Sequence, residues 1–181
     1  NNPEFVDDAF KTVEHSVERM NRLLDTLRSG PDHKRNDPLD IGVLLMEVTS
    51  RCSDRLPKPA VDVEGEGFNV VADSEQLSAV IEHAIRNAQD ASSPDGCIKL
   101  GLRVIAGNVC ISVEDNGAGM TEDFIRKRLF RPFDTTKGTK GMGIGMYQMR
   151  EYVRSIGGRV EVSSAVGEGT LLKIHIPLAI S

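Results

Sequence analysis

The sequence predicts an α+β fold: a mixed, mostly antiparallel sheet covered on one face by helices and preceded by one long N-terminal helix. Three observations carry this. Helix and strand signals are mixed along residues 38 to 181. At least three pairs of strand-like runs are separated only by short Gly-containing turns, the spacing of hairpins. The helix-like runs carry a single apolar stripe, as helices on one face of a sheet do. Hairpins argue against a doubly wound parallel sheet, whose strands need long crossovers.

Residues 4 to 29 read as one amphipathic helix. Phe5, Ala9, Val13, Val17, Met20, Leu24 and Leu27 recur at three- and four-residue steps, opposite Asp7, Lys11, Glu14, Glu18 and Arg22. Ser29-Gly30-Pro31 ends it, because Gly suits a C-cap and Pro cannot continue a helix. The stripe has two readings: packing on its own domain, or half of a helical hairpin that dimerises. We divide the chain into residues 1–30 as that helix, 31–37 as a polar linker, and 38–181 as the main domain.

Asp40 is an N-cap for a helix from Ile41 to about Ser53. Pro57 and Pro59 break the chain. Residues 60–64 and 68–72 are strand-like runs around Gly65-Glu-Gly67, read as a hairpin. Asp73 with Gln76 starts a helix to about Ala91 in the manner of a capping box. Ser92 to Gly96 is a turn. Residues 97–105 and 109–114 form a second hairpin around Gly107-Asn108. Residues 121–129 form a short helix. Residues 132–140 are Gly- and Thr-rich without periodicity, and loops of this length are usually functional or mobile. Residues 143–156 are helical up to Gly157-Gly158. Residues 159–164 and 170–177 form a last hairpin around Gly167-Glu-Gly169.

Composition narrows the function. Apolar residues make up 39% and charged residues 27%, ordinary for a soluble globular protein. Trp is absent, so Val, Ile, Leu and Met must build the core. A net charge of −5 with no strongly basic stretch gives no footprint for nucleic acid. Three isolated cysteines without CxxC spacing read as reduced thiols in a cytosolic setting. No apolar run approaches the ~18 residues of a membrane span, and no signal peptide is visible. The opening Asn-Asn-Pro-Glu-Phe, without Met, reads as a piece excised from a longer parent.

The chemistry concentrates in three places. Asp115-Asn-Gly-Ala-Gly119 puts a carboxylate at the end of an apolar strand, directly before glycines. That carboxylate can accept a hydrogen bond from an exocyclic amine such as that of adenine. Alone, the segment reads equally as a turn. Gly141-Met-Gly-Ile-Gly145 opens a helix whose N-terminus attracts anions. A polar loop rather than a strand precedes it, so it is no Rossmann fingerprint, and no GxxxxGK[ST] P-loop exists. Asn87 shares a helix face with His83 and Asp90. Its carboxamide oxygen suits Mg²⁺, although alone it reads as an exposed helix residue. Together these pieces point to ATP. Lys137, beside the second glycine cluster, reads as a solvated loop lysine or as a phosphate contact from a closing lid.

In order and spacing the motifs resemble the ATP-binding domain of sensor histidine kinases, in the superfamily shared with gyrase, Hsp90 and MutL. Asn87 matches the asparagine box and Asp115–Gly119 the first glycine box. Phe130-Arg-Pro-Phe133 matches the phenylalanine box, Gly141–Gly145 the second glycine box, and Gly167–Thr170 the final Gly-x-Gly-Thr. The resemblance implies a two-layer sandwich of the Bergerat type with a lid over residues 130 to 142. It implies Asp115 on the adenine amine, Thr170 near the adenine, Asn87 on Mg²⁺, and Asn87 with Lys137 in catalysis. Further nucleotide contacts are implied from Asp90, Gly117, Gly119, Met120, Phe130, Gly141, Gly143, Ile144 and Gly145. Glu14-His-Ser-Val-Glu-Arg-Met is similar to the second helix of a kinase dimerisation hairpin. With Asn-Ala-Gln-Asp-Ala91 it is most similar to PrsK-like sensor kinases of the PEP-CTERM system.

The resemblance further implies ATP and Mg²⁺ as cofactors, a response-regulator receiver domain as partner, and homodimerisation through the N-terminal helix. It implies a cytoplasmic domain of an inner-membrane parent. Two departures matter. The helix that carries the phospho-acceptor histidine is absent, and His15, His33 and His175 do not match it, so the piece should bind ATP without autophosphorylating. His83 stands four residues before Asn87, where the superfamily's ATPases place a glutamate base. That favours a kinase over a hydrolase. Arg86 is a further phosphate-contact candidate. The rival readings are an anti-sigma-factor-type serine kinase and an ATPase of the gyrase or MutL kind.

Overall fold

The computed structural model describes residues 38–134 and 143–179. All of them fall in one compact unit, Arg35–Ser181. The predicted helix at residues 4–29, the linker, Lys137 and Gly141 lie outside the described residues.

The element order is β1 (Pro38–Asp40), α1 (Ile41–Cys52), β2 (Pro59–Glu64), β3 (Asn69–Val71), α2 (Ser74–Ala91), β4 (Ile98–Ile105), β5 (Asn108–Asp115), α3 (Glu122–Lys127), α4 (Gly145–Ser155), β6 (Arg159–Ala165) and β7 (Gly169–Pro177). Five strands form the main sheet in the order β2-β4-β5-β7-β6, and β1 pairs with β3 in a small separate sheet. Every pairing in the main sheet is antiparallel except β2 with β4. This is the α+β, mostly antiparallel architecture expected.

The caps start the helices where the sequence places them. Asp40 Oδ1 accepts from the backbone N–H of Gly42 at 2.7 Å and of Val43 at 3.3 Å. Asp73 Oδ1 accepts from Gln76 N–H at 2.8 Å. Each satisfies donors that the first helical turn leaves unpaired. The core lies between the helices and one sheet face. Leu77, Ile81 and Ile85 of α2, and Ile41 and Leu45 of α1, are fully buried against Leu100, Leu102, Ile111 and Ile174. Each such side chain stabilises the fold by about 1.5–3 kcal/mol relative to exposure. The alternate strand positions, including Lys99, Arg103, Glu114 and Glu161, face solvent. The period of two along β4 is thus the signature of a sheet covered on one side.

One predicted hairpin is corrected. The runs at 60–64 and 68–72 do not pair with each other. β2 runs parallel to β4, with Pro59 opposite Ile98. β3 pairs with β1, with Val70 opposite Leu39. Gly65 and Gly67 have φ of +106° and +74° and turn the chain away from β2, and Phe68 C=O then accepts from Ile41 N–H at 3.0 Å. The parallel partner is reached through β3 and the long helix α2, the kind of crossover that parallel strands require. The other two hairpins, β4–β5 and β6–β7, form as predicted. The short helix is α3, trimmed to Glu122–Lys127 with Thr121 as its N-cap.

Candidate functional site

A cavity of about 520 Å³ opens between α2, the end of β5, β7 and the first turn of α4. Of the residues singled out in the sequence, Asn87, Asp90, Asp115, Gly119, Met120, Gly143, Ile144, Gly145 and Thr170 line it. His83 lines it as well. Motifs spread over more than eighty residues of sequence therefore converge on one concavity.

Asp115 is the most constrained of these groups. It ends β5, opposite Thr170 of β7, and is only 8% exposed. Its Oδ1 accepts from Gly117 N–H at 2.8 Å. Burial pushes the carboxyl above the usual aspartate range, opposed by backbone hydrogen bonds from Gly117 and Thr170. Among the described residues, no cation contributes to that shift. A carboxylate held this way in an apolar wall is an acceptor looking for a neutral donor, and an exocyclic amine fits.

The glycines beside it permit close approach. Gly117 packs so tightly on the end of α2 that an added Cβ would lie 2.4 Å from Ala91 O. Gly117 does not itself line the cavity; it donates to Asp115. Gly119 has φ +65°, and a Cβ there would stand 1.8 Å from Ala165 O. Ala118 N–H donates to Ala91 O at 2.9 Å, and Ala118 O accepts from Gly167 N–H at 2.8 Å. The loop after Asp115 is thus clamped between α2 and the β6–β7 turn. Ser164 completes the clamp: its Oγ accepts from Met120 N–H at 2.9 Å and donates to Gly169 O at 2.6 Å.

The opposite end of the cavity is the start of α4. Ile144 is its N-cap and makes no side-chain capping bond. The N–H groups of the first turn therefore have no side-chain acceptor at the cap, which suits an anion. His83 rests against this turn: a Cβ on Gly145 would lie 2.0 Å from its Nε2. Asn87 Nδ2 donates to Met146 Sδ at 3.6 Å, which orients the carboxamide. Gly143, with φ +64°, passes so near Asp134 that a Cβ would be 2.7 Å from its backbone. Phe133 N–H donates to Gly143 O at 2.9 Å. Arg128 grips Asp134 through three carboxylate contacts, Nη2–Oδ1 at 2.6 Å, Nε–Oδ2 at 2.9 Å and Nε–Oδ1 at 3.1 Å, and holds that carboxyl below the usual range. Phe133, Asp134 and Gly143 are thus held together beside the first turn of α4.

Besides Gly117, two sequence candidates stand apart from the cavity. Phe130 is not in the cavity wall; it lies under the Arg150 guanidinium at 5.1 Å. Arg86 is turned away: its Nη1 donates to Asp54 at 2.7 Å and its Nη2 approaches Arg51 O at 3.4 Å. The expected phosphate contact from Arg86 is therefore corrected, because the guanidinium is committed to the α1 side of α2. Several wall residues carried no motif: Val113, Phe124, Leu129, Val162 and Leu172 supply its apolar surface. Their apolar periodicity was legible, but nothing in it separated a cavity wall from a core.

Fold and cavity together define a nucleotide-binding α/β sandwich, with a buried acceptor at one end and a helix N-terminus at the other. The chain belongs to the family of histidine kinase-, DNA gyrase B-, and HSP90-like ATPases, whose family model matches residues 72–180. The C4-dicarboxylate transport sensor protein DctB of Rhizobium meliloti is 32% identical over 137 residues, covering 75% of this chain and 22% of its own length. Among solved structures, full-length ShkA in complex with AMPPNP superposes with a TM-score of 0.76 at 26% identity, covering 94% of this chain and 37% of that one. The nucleotide-free catalytic domain of histidine kinase ThkA gives 0.70 at 25% identity, covering 78% of this chain and 95% of that one. The domain is an ATP-binding domain of that family, with the fold of histidine-kinase catalytic domains. The chain spans about a fifth to a third of the length of the curated relatives it matches.

Proposed function

We propose that this chain supplies the catalytic half of a two-component sensor kinase, delivering the γ-phosphoryl of Mg²⁺-ATP to a histidine on a separate helix. The observation that carries the reading is the polarity of the cavity. Asp115 is a buried acceptor suited to the adenine amine, and the first turn of α4 with Asn87 is suited to the phosphates. Thr170, Gly119 and Met120 flank the base end. Gly143, Ile144 and Gly145 lie at the phosphate end.

The donor set fits magnesium. Among the described residues, no three His, Cys, Asp or Glu side chains cluster as a metal cage. A cation here would take the Asn87 carboxamide oxygen and complete its shell with phosphate and water, the habit of Mg²⁺. Bound Mg²⁺ would neutralise charge on the phosphates, and the protein's own work is positioning. His83 in place of a glutamate base leaves water without an evident activator, which supports transfer over hydrolysis.

The narrower reading is a PrsK-like kinase of the PEP-CTERM system. Its parent would be an inner-membrane protein, dimeric through the helix at residues 4–29 and partnered by a response-regulator receiver domain. The test is calorimetry of an ATP analogue with and without Mg²⁺, beside a phosphotransfer assay to a separately supplied acceptor hairpin. Mg²⁺-dependent binding with label on the hairpin histidine is expected. Steady hydrolysis without transfer would move the protein to the ATPase branch.

A further inference from the structure

We propose that Asp90, held by Arg55, accepts a hydrogen bond from a ribose hydroxyl of the nucleotide, so that the domain discriminates against nucleotides that lack the sugar hydroxyls. The inference rests on the nucleotide reading above and adds a specificity determinant to it.

Helix α2 runs the length of the cavity, and its residues report position along the ligand. His83 and Asn87 meet the first turn of α4, at Gly145 and Met146. That is the phosphate end. Ala91, at the last turn of α2, accepts from Ala118 N–H at 2.9 Å and packs on Gly117. That is the base end, beside Asp115. Asp90 also lines the cavity. It lies three residues beyond Asn87, about 4.5 Å further along the axis at a rise of 1.5 Å per residue, and one residue before Ala91. In a nucleoside triphosphate the pentose sits between base and phosphates, so Asp90 stands at the height of the sugar.

The chemistry agrees with the position. An ionised carboxylate only accepts hydrogen bonds, and ribose hydroxyls are neutral donors. Set directly against phosphate, the same group would be repelled. Arg55 offsets its charge and fixes its orientation, with Nη1 2.6 Å from Asp90 Oδ1. Arg55 comes from the loop after α1, and that loop is fastened to α2 immediately beside Asp90. Gln89 is 1% exposed, and its Nε2 donates to the carbonyls of Cys52, Arg55 and Pro57 at 2.9, 2.9 and 3.2 Å. An ion pair as exposed as Arg55–Asp90 contributes little to stability. A rigid mount for a carboxylate at the cavity wall gives the arrangement a use that stability does not.

The test is competition binding of ATP, 2′-deoxyATP, 3′-deoxyATP and 2′,3′-dideoxyATP to the 181-residue chain. A hydrogen bond to a charged acceptor predicts that dideoxyATP binds about tenfold or more weaker than ATP. Asp90→Ala should bind all four alike, at the dideoxy level, with Mg²⁺ dependence intact. Arg55→Ala should narrow the discrimination, Arg55→Lys should recover part of it, and the preference for ATP over GTP should be unmoved in both. Equal affinity of the wild type for ATP and dideoxyATP would overturn the inference while leaving the nucleotide reading standing. So would discrimination that survives Asp90→Ala, or loss of Mg²⁺ dependence in that variant, which would put the carboxylate on the metal. Failure of every nucleotide to bind would overturn both readings together.

Discussion

Replacing Gly119 by alanine separates two costs that are usually confounded: backbone strain and steric overlap. Gly119 has φ +65°, a region that costs an L-residue about 1–2 kcal/mol. Its Cβ would also stand 1.8 Å from Ala165 O and 2.7 Å from Ala165 C. These are backbone atoms at the end of β6, so the strand end or the Asp115 loop must retreat by on the order of 1 Å or more. Overpacking of that kind costs a further ~1–3 kcal/mol. Gly107 is the internal control. It has φ +75° in the β4–β5 turn, and nothing lies within 4 Å of an added Cβ. Gly107→Ala should therefore cost only the strain, about 1–2 kcal/mol, and Gly119→Ala about 2 kcal/mol more. Urea unfolding followed by circular dichroism reads the difference as a shift in midpoint at constant m. Equal midpoints for the two variants would refute the overlap, and with it the tight seating of the Asp115 loop on the β6–β7 turn.

Asp115→Asn should reduce adenine-nucleotide affinity below detection in calorimetry, since an amide in that position loses the charged acceptor; near-wild-type affinity would remove the base assignment. The same variant should leave the nucleotide-free domain at least as stable at neutral pH. The folded pKa of Asp115 is raised, so its contribution is full below the unfolded pKa and is lost as pH rises through the folded one. Nucleotide affinity has the opposite trend, because the ionised form is the acceptor: in the wild type it should fall on acidification from a pH above the usual aspartate range, and an affinity flat across that range would contradict the assignment. Asn87→Ala should bind ATP with no dependence on magnesium concentration; an unchanged magnesium titration would sink the ligand role. Gln89→Ala leaves the carbonyls of Cys52, Arg55 and Pro57 without their shared donor and should cost about 1–3 kcal/mol in denaturant unfolding; an unaltered midpoint would show that water replaces it.

Much of the site was legible because its motifs are local. Asp115 before two glycines, and Gly143 before Gly145, are short patterns whose chemistry follows from a few side chains and the freedom of φ. Helix starts were legible for the same reason, since Asp40 and Asp73 cap by bonding N–H groups two or three residues on. The partner of β2 was not legible. Alternation along residues 60–64 tells which face is apolar, yet it is the same whether the neighbour is β3 or β4. Nor was the burial of Gln89, a polar residue beside the apolar stripe of α2 that is driven inward by three carbonyls from a distant loop. The direction of Arg86 escaped for a like reason: the choice between phosphate and Asp54 is made by the loop just after α1, more than thirty positions earlier in the chain.

By itself, then, the sequence determined most elements of the described residues, though not β1, together with the caps at Asp40 and Asp73, two of the hairpins and the acid-plus-glycine signature of a nucleotide site. All of these depend on interactions within a few residues. Only the tertiary structure decided the strand order, with β2 reached by crossover, and the convergence of Asn87, Asp115 and Gly145 on one cavity. It also decided which polar side chains are spent on holding loops rather than lining the site. Those outcomes rest on contacts between segments far apart in sequence, where burial and the pairing of polar groups are settled by what the rest of the fold brings alongside.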